Sequence, residues 1–148
     1  MLIGIQHVAL IVSDLARSRR FFGEQLGMQE LQRPPTFTFA GAWFRAGGQE
    51  IHLIVAGDTT SQPGWRDPGP GAQMGLALHL AIEVDDLAAE RTRLERVGVP
   101  VFAGPLERGD GVVQFYVEDP DGHLVELFER TGADQSGAAE RAPVRGAA

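Results

Sequence analysis

The stretch HVALIVSDL, His7 to Leu15, recurs as HLAIEVDDL, His79 to Leu87, and the two copies begin 72 positions apart with a histidine. Each copy is an apolar, β-branched run followed by an aspartate and a leucine, the pattern of a strand that leads into a capped helix. A period of this length exceeds that of the short solenoid repeats and indicates two paired modules. The sequence therefore predicts a duplicated fold in which equivalent inward-facing residues meet near a two-fold axis.

The composition limits the class of protein. The chain has 148 residues, no cysteine and a formal net charge of −7. Its length fits one domain, and the lack of cysteine excludes disulfides and thiolate metal sites. The excess of acidic residues argues against a nucleic-acid partner. Because the amino-terminal MLIGI has no basic flank and no apolar run is long enough for a membrane span, we expect a cytoplasmic protein without a membrane partner.

Around each repeat the predicted elements follow the order βαβββ. The first module, residues 1–56, has strands at Ile5 to Val12, Met28 to Gln32, Phe37 to Arg45 and Glu50 to Val55. Its helix is capped by Ser13 and Asp14, carries Leu15, Phe22 and Leu26 on one face, and ends at Gly27. The second module, residues 77–130, has strands at Leu78 to Val84, Val99 to Phe102, Val112 to Glu118 and Leu124 to Glu129, and a helix capped by Asp86 that carries Leu87, Leu94 and Val97 and ends at Gly98. The first strand of the chain has the composition of a strand buried on both faces.

Two segments lack such patterns. Residues 57–76 are rich in Gly, Pro, Ser, Thr and Asp, with Trp65 as the one large aromatic residue. A connector of this length is either a plain linker or a lid. Residues 131–148 have the composition of a disordered tail. We expect one domain overall, made of the two modules.

Three of the four histidines, His7, His52 and His79, lie inside predicted strands. His52 is in the last strand of the first module, and the equivalent place in the second module holds Glu126. If the two sheets are concave toward each other, these four side chains converge, because alternate residues of a strand share one face. Three imidazoles and one carboxylate suit a divalent transition metal such as zinc, nickel, iron(II), cobalt or manganese.

The alternative is that each of these residues is an ordinary hydrogen-bonded core or edge group. Four such groups at symmetry-related places would each need a separate partner to offset the cost of burial. The pattern therefore favours a shared metal. We exclude the fourth histidine, His123, since it follows the turn Asp119–Gly122 and is expected to face solvent.

The strings HVALIVSDL, RRFFGEQLGM, HLAIEVDDL and VEDPDGHLVEL resemble the vicinal oxygen chelate superfamily, which contains glyoxalase I, methylmalonyl-CoA epimerase, fosfomycin-resistance transferases and extradiol dioxygenases. The resemblance covers about Ile5 to Glu129. It implies an α+β fold in which two βαβββ modules form a half-open barrel around a central cleft, with a metal held by the first and last strands of each module. It also implies a small-molecule substrate that chelates the metal through vicinal oxygens, and a homodimer. The ligands that it implies are His7, His52, His79 and Glu126, the four that the repeat selects.

Within the superfamily, RPPTFTFAGAWF and EIHLI look most similar to glyoxalase-I-like proteins, with one departure. Typical glyoxalase I has a glutamate, and the epimerase a glutamine, where this chain has His52, and a metal-bound imidazole is a poor base. The leading hypothesis is a metal-dependent isomerase or lyase in which Glu126 is both ligand and base for a proton α to a carbonyl. The residues expected to contact the substrate are Tyr116, Gln114, Trp43 and Arg45.

Two other functions stay open. In an iron-dependent extradiol-type dioxygenase, His7, His79 and Glu126 would form a two-histidine, one-carboxylate triad, although His52 would then fill a position that such enzymes keep open. The other is a binding protein of the drug-sequestering type, whose members generally lack the metal ligands. Metal content and oxygen consumption distinguish the three hypotheses.

Overall fold

The computed structural model describes residues 1–57, 60–64 and 78–131. The connector apart from 57 and 60–64, Trp65 included, and the tail beyond Thr131 lie outside the described residues, so the lid and disorder predictions stay predictions. The strands are β1 His7–Val12, β2 Gln29–Leu31, β3 Gly41–Ala46, β4 Gln49–Val55, β5 His79–Glu83, β6 Ala103–Glu107, β7 Val112–Glu118 and β8 Leu124–Arg130. The helices are α1 Leu15–Arg19, which continues as a π-helical segment Arg20–Gln25, and α2 Leu87–Arg96.

The strands form two four-stranded sheets of the same topology, with the orders β1-β4-β3-β2 and β5-β8-β7-β6. In each sheet the first strand pairs in parallel with the last strand of its module, and the other pairings are antiparallel. The duplication extends to the register, because Ala9 is opposite His52 in the first sheet and Ala81 is opposite Glu126 in the second. The predicted α+β architecture of two βαβββ modules is confirmed, and neither sheet closes into a barrel.

Both helices begin at the predicted aspartates. Asp14 accepts hydrogen bonds from the amides of Ala16 and Arg17, and Asp86 accepts one from Ala89, which satisfies amides that have no partner within the helix. The first helix differs from the prediction, since its second half is π-helical, with the amide of Leu26 donating to Phe21 O over 2.8 Å. Such a widened turn inserts one extra residue, and here the adjacent Phe21 and Phe22 are both buried.

One apolar core contains side chains from both modules. Its fully buried members include Val12, Phe22, Phe44, Leu53, Leu94, Phe115, Val117 and Val125. Burial alternates along the strands, so the prediction that β1 is buried on both faces is wrong: Leu10 and Val12 face the core, whereas His7 and Ala9 are exposed. The opposite face of each sheet, called here the site face, carries His7 and His52 in the first sheet and Glu126 in the second.

Two of the strands begin four residues later than predicted. The strand expected at Val99–Phe102 begins only at Ala103, because Val99 is buried after the end of α2, where its amide bonds Leu94 O. Gly104 has a φ of +100°, and a β-carbon there would lie 2.9 Å from Gln114 O, so the close approach of β6 to β7 depends on glycine. In the first module β3 starts at Gly41, which leaves Phe37 and Phe39 in the preceding loop. Val97 is 39% exposed and does not join the core face of α2.

The expectation that His123 faces solvent is wrong. Its side chain is 1% exposed, and its Nδ1 lies 2.7 Å from Asp119 Oδ2 across the predicted turn. Asp119 Oδ1 also accepts from the amides of Asp121 and His123, and Gly122 takes its predicted positive φ of 82°. The turn thus buries a histidine–aspartate pair in place of exposing a polar side chain.

The same turn joins the two modules. Asp121 accepts hydrogen bonds from the amide of Ser13 over 3.0 Å and from its hydroxyl over 2.5 Å, next to the start of α1. Arg17 Nη2 donates to Pro120 O over 3.2 Å. The last hairpin of the chain therefore holds the first helix of the chain. No helix in the described ranges is both long and apolar enough to cross a membrane.

Candidate functional site

The first sheet brings two of the predicted ligands together. The rings of His7, on edge strand β1, and His52, on β4, stack with centroids 4.1 Å apart and planes inclined by 11°. His7 is exposed, while the His52 side chain is 12% exposed. His7 Nδ1 lies 2.5 Å from Gln6 Oε1. These contacts form one half-site, here called the histidine pair.

Trp43 covers the other side of the histidine pair. It is the cross-strand partner of His52 in β3, and the two rings stack with centroids 4.0 Å apart and planes inclined by 4°. Phe37 meets the Trp43 ring edge-on at 5.2 Å. The predicted substrate contact Trp43 therefore lies on the site face, where it holds the plane of the His52 ring.

Glu50 lies beside the histidine pair and was not among the predicted site residues. Its Oε2 is 2.9 Å from His52 Nε2, and its Oε1 is 3.4 Å from Arg45 Nη2. The hydrogen bond to His52, then that to Gln6, lowers the pKa of Glu50 to about 2, and the partial burial of the carboxylate opposes this shift. Arg45, predicted to contact substrate, is thus on the site face but is paired with a carboxylate.

The second sheet brings together the other two predicted ligands. His79 Nε2, on edge strand β5, lies 3.1 Å from Glu126 Oε2 on β8. The side chain of Glu126 is 4% exposed and that of His79 is 22% exposed. This half-site, called the histidine–glutamate pair, occupies the same register positions as the histidine pair of the first sheet.

Gln114 and Tyr116 on β7 extend this pair into a buried chain of hydrogen bonds. Gln114 Nε2 donates to the Tyr116 hydroxyl over 2.9 Å, and that hydroxyl donates to Glu126 Oε2 over 3.0 Å. Burial, followed by the nearby charge of Glu126, raises the pKa of Tyr116 from 10.0 to about 12. Tyr116 pairs with Glu126 across the strands as Trp43 pairs with His52. Both predicted substrate contacts of this strand therefore lie on the site face.

Two buried oxygens of these hydrogen-bonded side chains have no hydrogen bond within the described part of the protein: Glu126 Oε1 and Gln114 Oε1. Arg108 Nη1 lies 3.6 Å from Glu126 Oε1, and Arg108 Nη2 is paired with Asp110 at 2.8 Å. A buried carboxylate oxygen without a hydrogen-bond donor is costly, and here the guanidinium of Arg108 offsets part of that cost.

The four predicted ligands are grouped two and two. Over residues 1–57, 60–64 and 78–131, no group of three or more histidine, aspartate or glutamate side chains is arranged to hold a metal ion. The repeat correctly paired His7 with His79 and His52 with Glu126 as equivalent positions. The metal site that it suggested stays a prediction.

Sequence reasoning missed Glu50 and Arg108. Glu50 had a usable signal, since it lies two residues before His52 and so shares its face of β4. Arg108 had none, because it lies just past β6, whose position was predicted four residues too early.

Comparisons with known proteins identify the family and agree with the fold. Residues 4–127 match the model of the Glyoxalase/Bleomycin resistance protein/Dioxygenase superfamily. A lactoylglutathione lyase of Neisseria meningitidis is 32% identical over 145 residues, which cover 92% of this chain and 97% of that protein. A lactoylglutathione lyase of Salmonella typhimurium is 33% identical over 131 residues, 86% of this chain and 93% of the relative.

Among solved structures, a glyoxalase/dioxygenase from Nostoc punctiforme superimposes with a TM-score of 0.68 at 27% identity. The match covers 86% of this chain and 90% of that structure. The similarity thus extends over both modules.

Proposed function

The chain belongs to the Glyoxalase/Bleomycin resistance protein/Dioxygenase superfamily, and from this premise we propose that it is a divalent-metal-dependent lyase or isomerase of the glyoxalase type. Its substrate is a small molecule that chelates the metal through two neighbouring oxygens. The reaction begins with removal of a proton α to a carbonyl. The names of the relatives make lactoylglutathione the first compound to test.

The observation that carries this proposal is the environment of Glu126. One carboxylate oxygen is hydrogen-bonded by the phenol of Tyr116, while the other is buried without a hydrogen bond from the described residues. A carboxylate held in this way can bind a cation through one oxygen and exchange a proton at low cost. A purely structural glutamate would be expected to have both oxygens satisfied.

The donor set fits a divalent transition metal. His7, His52 and His79 supply imidazole nitrogens and Glu126 supplies an oxygen, a combination suited to zinc, nickel, cobalt, manganese or iron(II). Such an ion would supply positive charge that stabilises the negative charge developing on the substrate oxygens.

A second copy of the chain would complete the site. The two half-sites lie on separate sheets, and each includes the edge strand of its sheet, β1 or β5. We propose a homodimer in which the histidine pair of one copy faces the histidine–glutamate pair of the other. This arrangement reconciles the predicted four ligands with the two pairs present in one chain.

In this proposal each side chain of the histidine–glutamate pair and its neighbours has a separate role in the reaction. Glu126 takes the proton from the hydroxyl-bearing substrate carbon and returns it to the neighbouring carbonyl carbon, while the hydroxyl proton passes to the former carbonyl oxygen, so the isomerisation needs no further reactant. Tyr116, whose hydroxyl donates to Glu126, orients that carboxylate, and Gln114 in turn fixes the phenol. Since His52 replaces the glutamate of typical glyoxalase I, Glu126 is the one base proposed here.

Metal removal and reloading test the proposal. Protein stripped with a chelator should lose turnover of lactoylglutathione and regain it with one of the five metals, while Glu83→Gln, a change in a solvent-exposed ion pair, should behave as wild type. If the reloaded protein holds no divalent ion in stoichiometric amount, the catalytic proposal is rejected in favour of a binding protein. Oxygen consumption by iron-loaded protein with a catechol would favour the dioxygenase.

Mixing two inactive variants tests the dimer. A His7→Ala, His52→Ala chain and a His79→Ala, Glu126→Ala chain are each expected to be inactive. If the site forms between copies, refolding the two together restores part of the activity, because one intact site forms in each mixed dimer. If all four ligands come from one chain, the mixture stays inactive.

A further inference from the structure

The histidine pair is the end of a stack of three flat rings that crosses the first sheet. Trp43 on β3, His52 on β4 and His7 on β1 follow one another with centroid separations of 4.0 and 4.1 Å. At one end Phe37 meets the Trp43 ring edge-on. At the other end His7 is exposed, and beyond β1 the sheet has no further strand among the described residues. The stack is therefore open to solvent at His7.

This geometry limits what the two histidines can bind together. The lone pair of an imidazole nitrogen lies in the plane of its ring. Because the rings of His7 and His52 are 4.1 Å apart and inclined by only 11°, their lone pairs lie in separate, nearly parallel planes and cannot meet on one ion. The pair has the donor atoms that suit a metal, but an ion bound by both rings would first have to separate them. As the rings stand, the outer face of His7 is the part of the pair that a ligand can reach.

The His7 ring is held in place although it is exposed. Its Nδ1 lies 2.5 Å from Gln6 Oε1, and the ring beneath it is fixed in turn, with His52 Nε2 lying 2.9 Å from Glu50 Oε2. A free side chain loses rotamer entropy when a ligand orders it. A ring that is already oriented loses less, so the outer face of His7 is a preorganised surface for a further flat ring.

We propose that the outer face of His7 is a binding site for a planar aromatic ring of a small molecule, which adds a fourth ring to the stack. Aromatic rings attract one another in offset stacks, and the stack already has the spacing of such contacts. Charge narrows the class of ligand: the Glu50 carboxylate lies beside the stack and the chain has a net charge of −7, so an uncharged or cationic ring is favoured over an anionic one. The inference goes beyond the proposed function and needs no metal.

The second sheet offers a matched control. His79 holds the register position equivalent to that of His7, but it meets Tyr116 edge-on, with ring planes inclined by 89° and centroids 5.7 Å apart. Its Nε2 lies 3.1 Å from Glu126 Oε2. His79 thus shares the place and chemistry of His7 without being the end of a parallel stack, so removing it should leave ring binding unchanged.

Binding of coumarin, an uncharged planar two-ring compound, tests the proposal. It is titrated into full-length protein kept metal-free with a chelator, and the histidine ring protons are followed by NMR. We expect the ring protons of His7, assigned with His7→Ala, to shift upfield, since protons above the face of an aromatic ring are shielded. We expect His7→Ala to weaken binding about 2- to 12-fold, and His7→Phe, which keeps a flat ring, and His79→Ala to bind as wild type does.

Four results would overturn the inference. They are no binding of coumarin by wild type, equal affinity of wild type and His7→Ala, an equal loss in His79→Ala, and equally tight binding of octahydrocoumarin, which keeps the lactone but has no flat ring. A loss in His7→Ala that His7→Phe restores would support it, because the flat ring is what those two variants differ in. None of these results bears on the proposed function, which metal reloading tests separately.

Discussion

The two site faces are equivalent in register and opposite in environment. In the first sheet His7 and Arg45 are exposed, and the central ring of His52 is held by stacking on Trp43. In the second sheet Tyr116 and Glu126 are 0% and 3% exposed and are joined by hydrogen bonds. The duplication therefore preserved the backbone positions while one half came to hold aromatic rings and the other a buried carboxylate. Position in a repeat predicts where a functional group stands, but its surroundings decide what it can do.

The largest effect is expected from removing the carboxylate of the second half. Glu126→Gln keeps the shape of the side chain but cannot accept a proton from carbon, so we expect kcat to fall about 10²- to 10⁴-fold with the fold intact. Turnover of metal-loaded protein gives the rate, and circular dichroism checks the fold. Full activity of this variant would mean that the base lies elsewhere.

The next largest effect is expected from interrupting the hydrogen-bonded chain Gln114–Tyr116–Glu126. Tyr116→Phe removes a donor to Glu126 Oε2, which keeps His79 Nε2 at 3.1 Å, and removes the acceptor of the buried Gln114 Nε2. We expect the free energy of unfolding to fall by about 1–3 kcal/mol, measured by urea denaturation of metal-free protein. A loss no larger than that of a surface substitution would indicate that water replaces the hydroxyl.

The titration of Tyr116 can be followed directly, because the chain has a single tyrosine. Burial and the charge of Glu126 raise the pKa of Tyr116 to about 12, so absorbance titration of the folded, metal-free protein should show no phenolate near pH 10. Between pH 10 and 12 the unfolded chain has lost this proton while the folded protein retains it. The free energy of unfolding should therefore fall as the pH rises through that window. A Tyr116 titration at the ordinary value near 10 would show that the site face of the second half is open to water.

The smallest effect is expected in the first half. Trp43→Leu removes the stacking partner of a half-buried ring, and we expect a loss of about 0.5–1.5 kcal/mol beyond the lost burial. The matched measurement is His52→Leu, alone and combined with Trp43→Leu in a double-mutant cycle. A coupling energy near zero would show that the stacked geometry contributes no stability of its own.

Most of the fold could be predicted from the sequence because its signals are local. The bounds of β7 agree with the alternation of Val112–Glu118, and both helix starts follow from a single capping aspartate. The strand β6 could not be placed, since AGPLE has little β-propensity and depends on pairing with β7. An apolar run just before it, Val99–Phe102, was the stronger local signal.

The candidate site was predictable only in part. The equivalence of His52 with Glu126 follows from the repeat, because register repeats with the fold. The contacts that give each residue its character do not, since they come from neighbouring strands: Trp43 on His52, and Tyr116 on Glu126. The pairing of His123 with Asp119 shows the same limit, because composition marks a turn as polar without revealing that the turn folds over its own side chain.

The hydrogen bonds between Ser13 and Asp121 bear on the order in which the chain folds. These residues are 108 positions apart, and closing a loop of that length costs about 4 kcal/mol in chain entropy. Pairings within each module span far shorter segments and are expected to form earlier. The contact with Asp121 then closes last, once both halves have buried their share of the common core. During synthesis on the ribosome, the first helix would therefore be fixed by Asp121 only after the last hairpin has emerged.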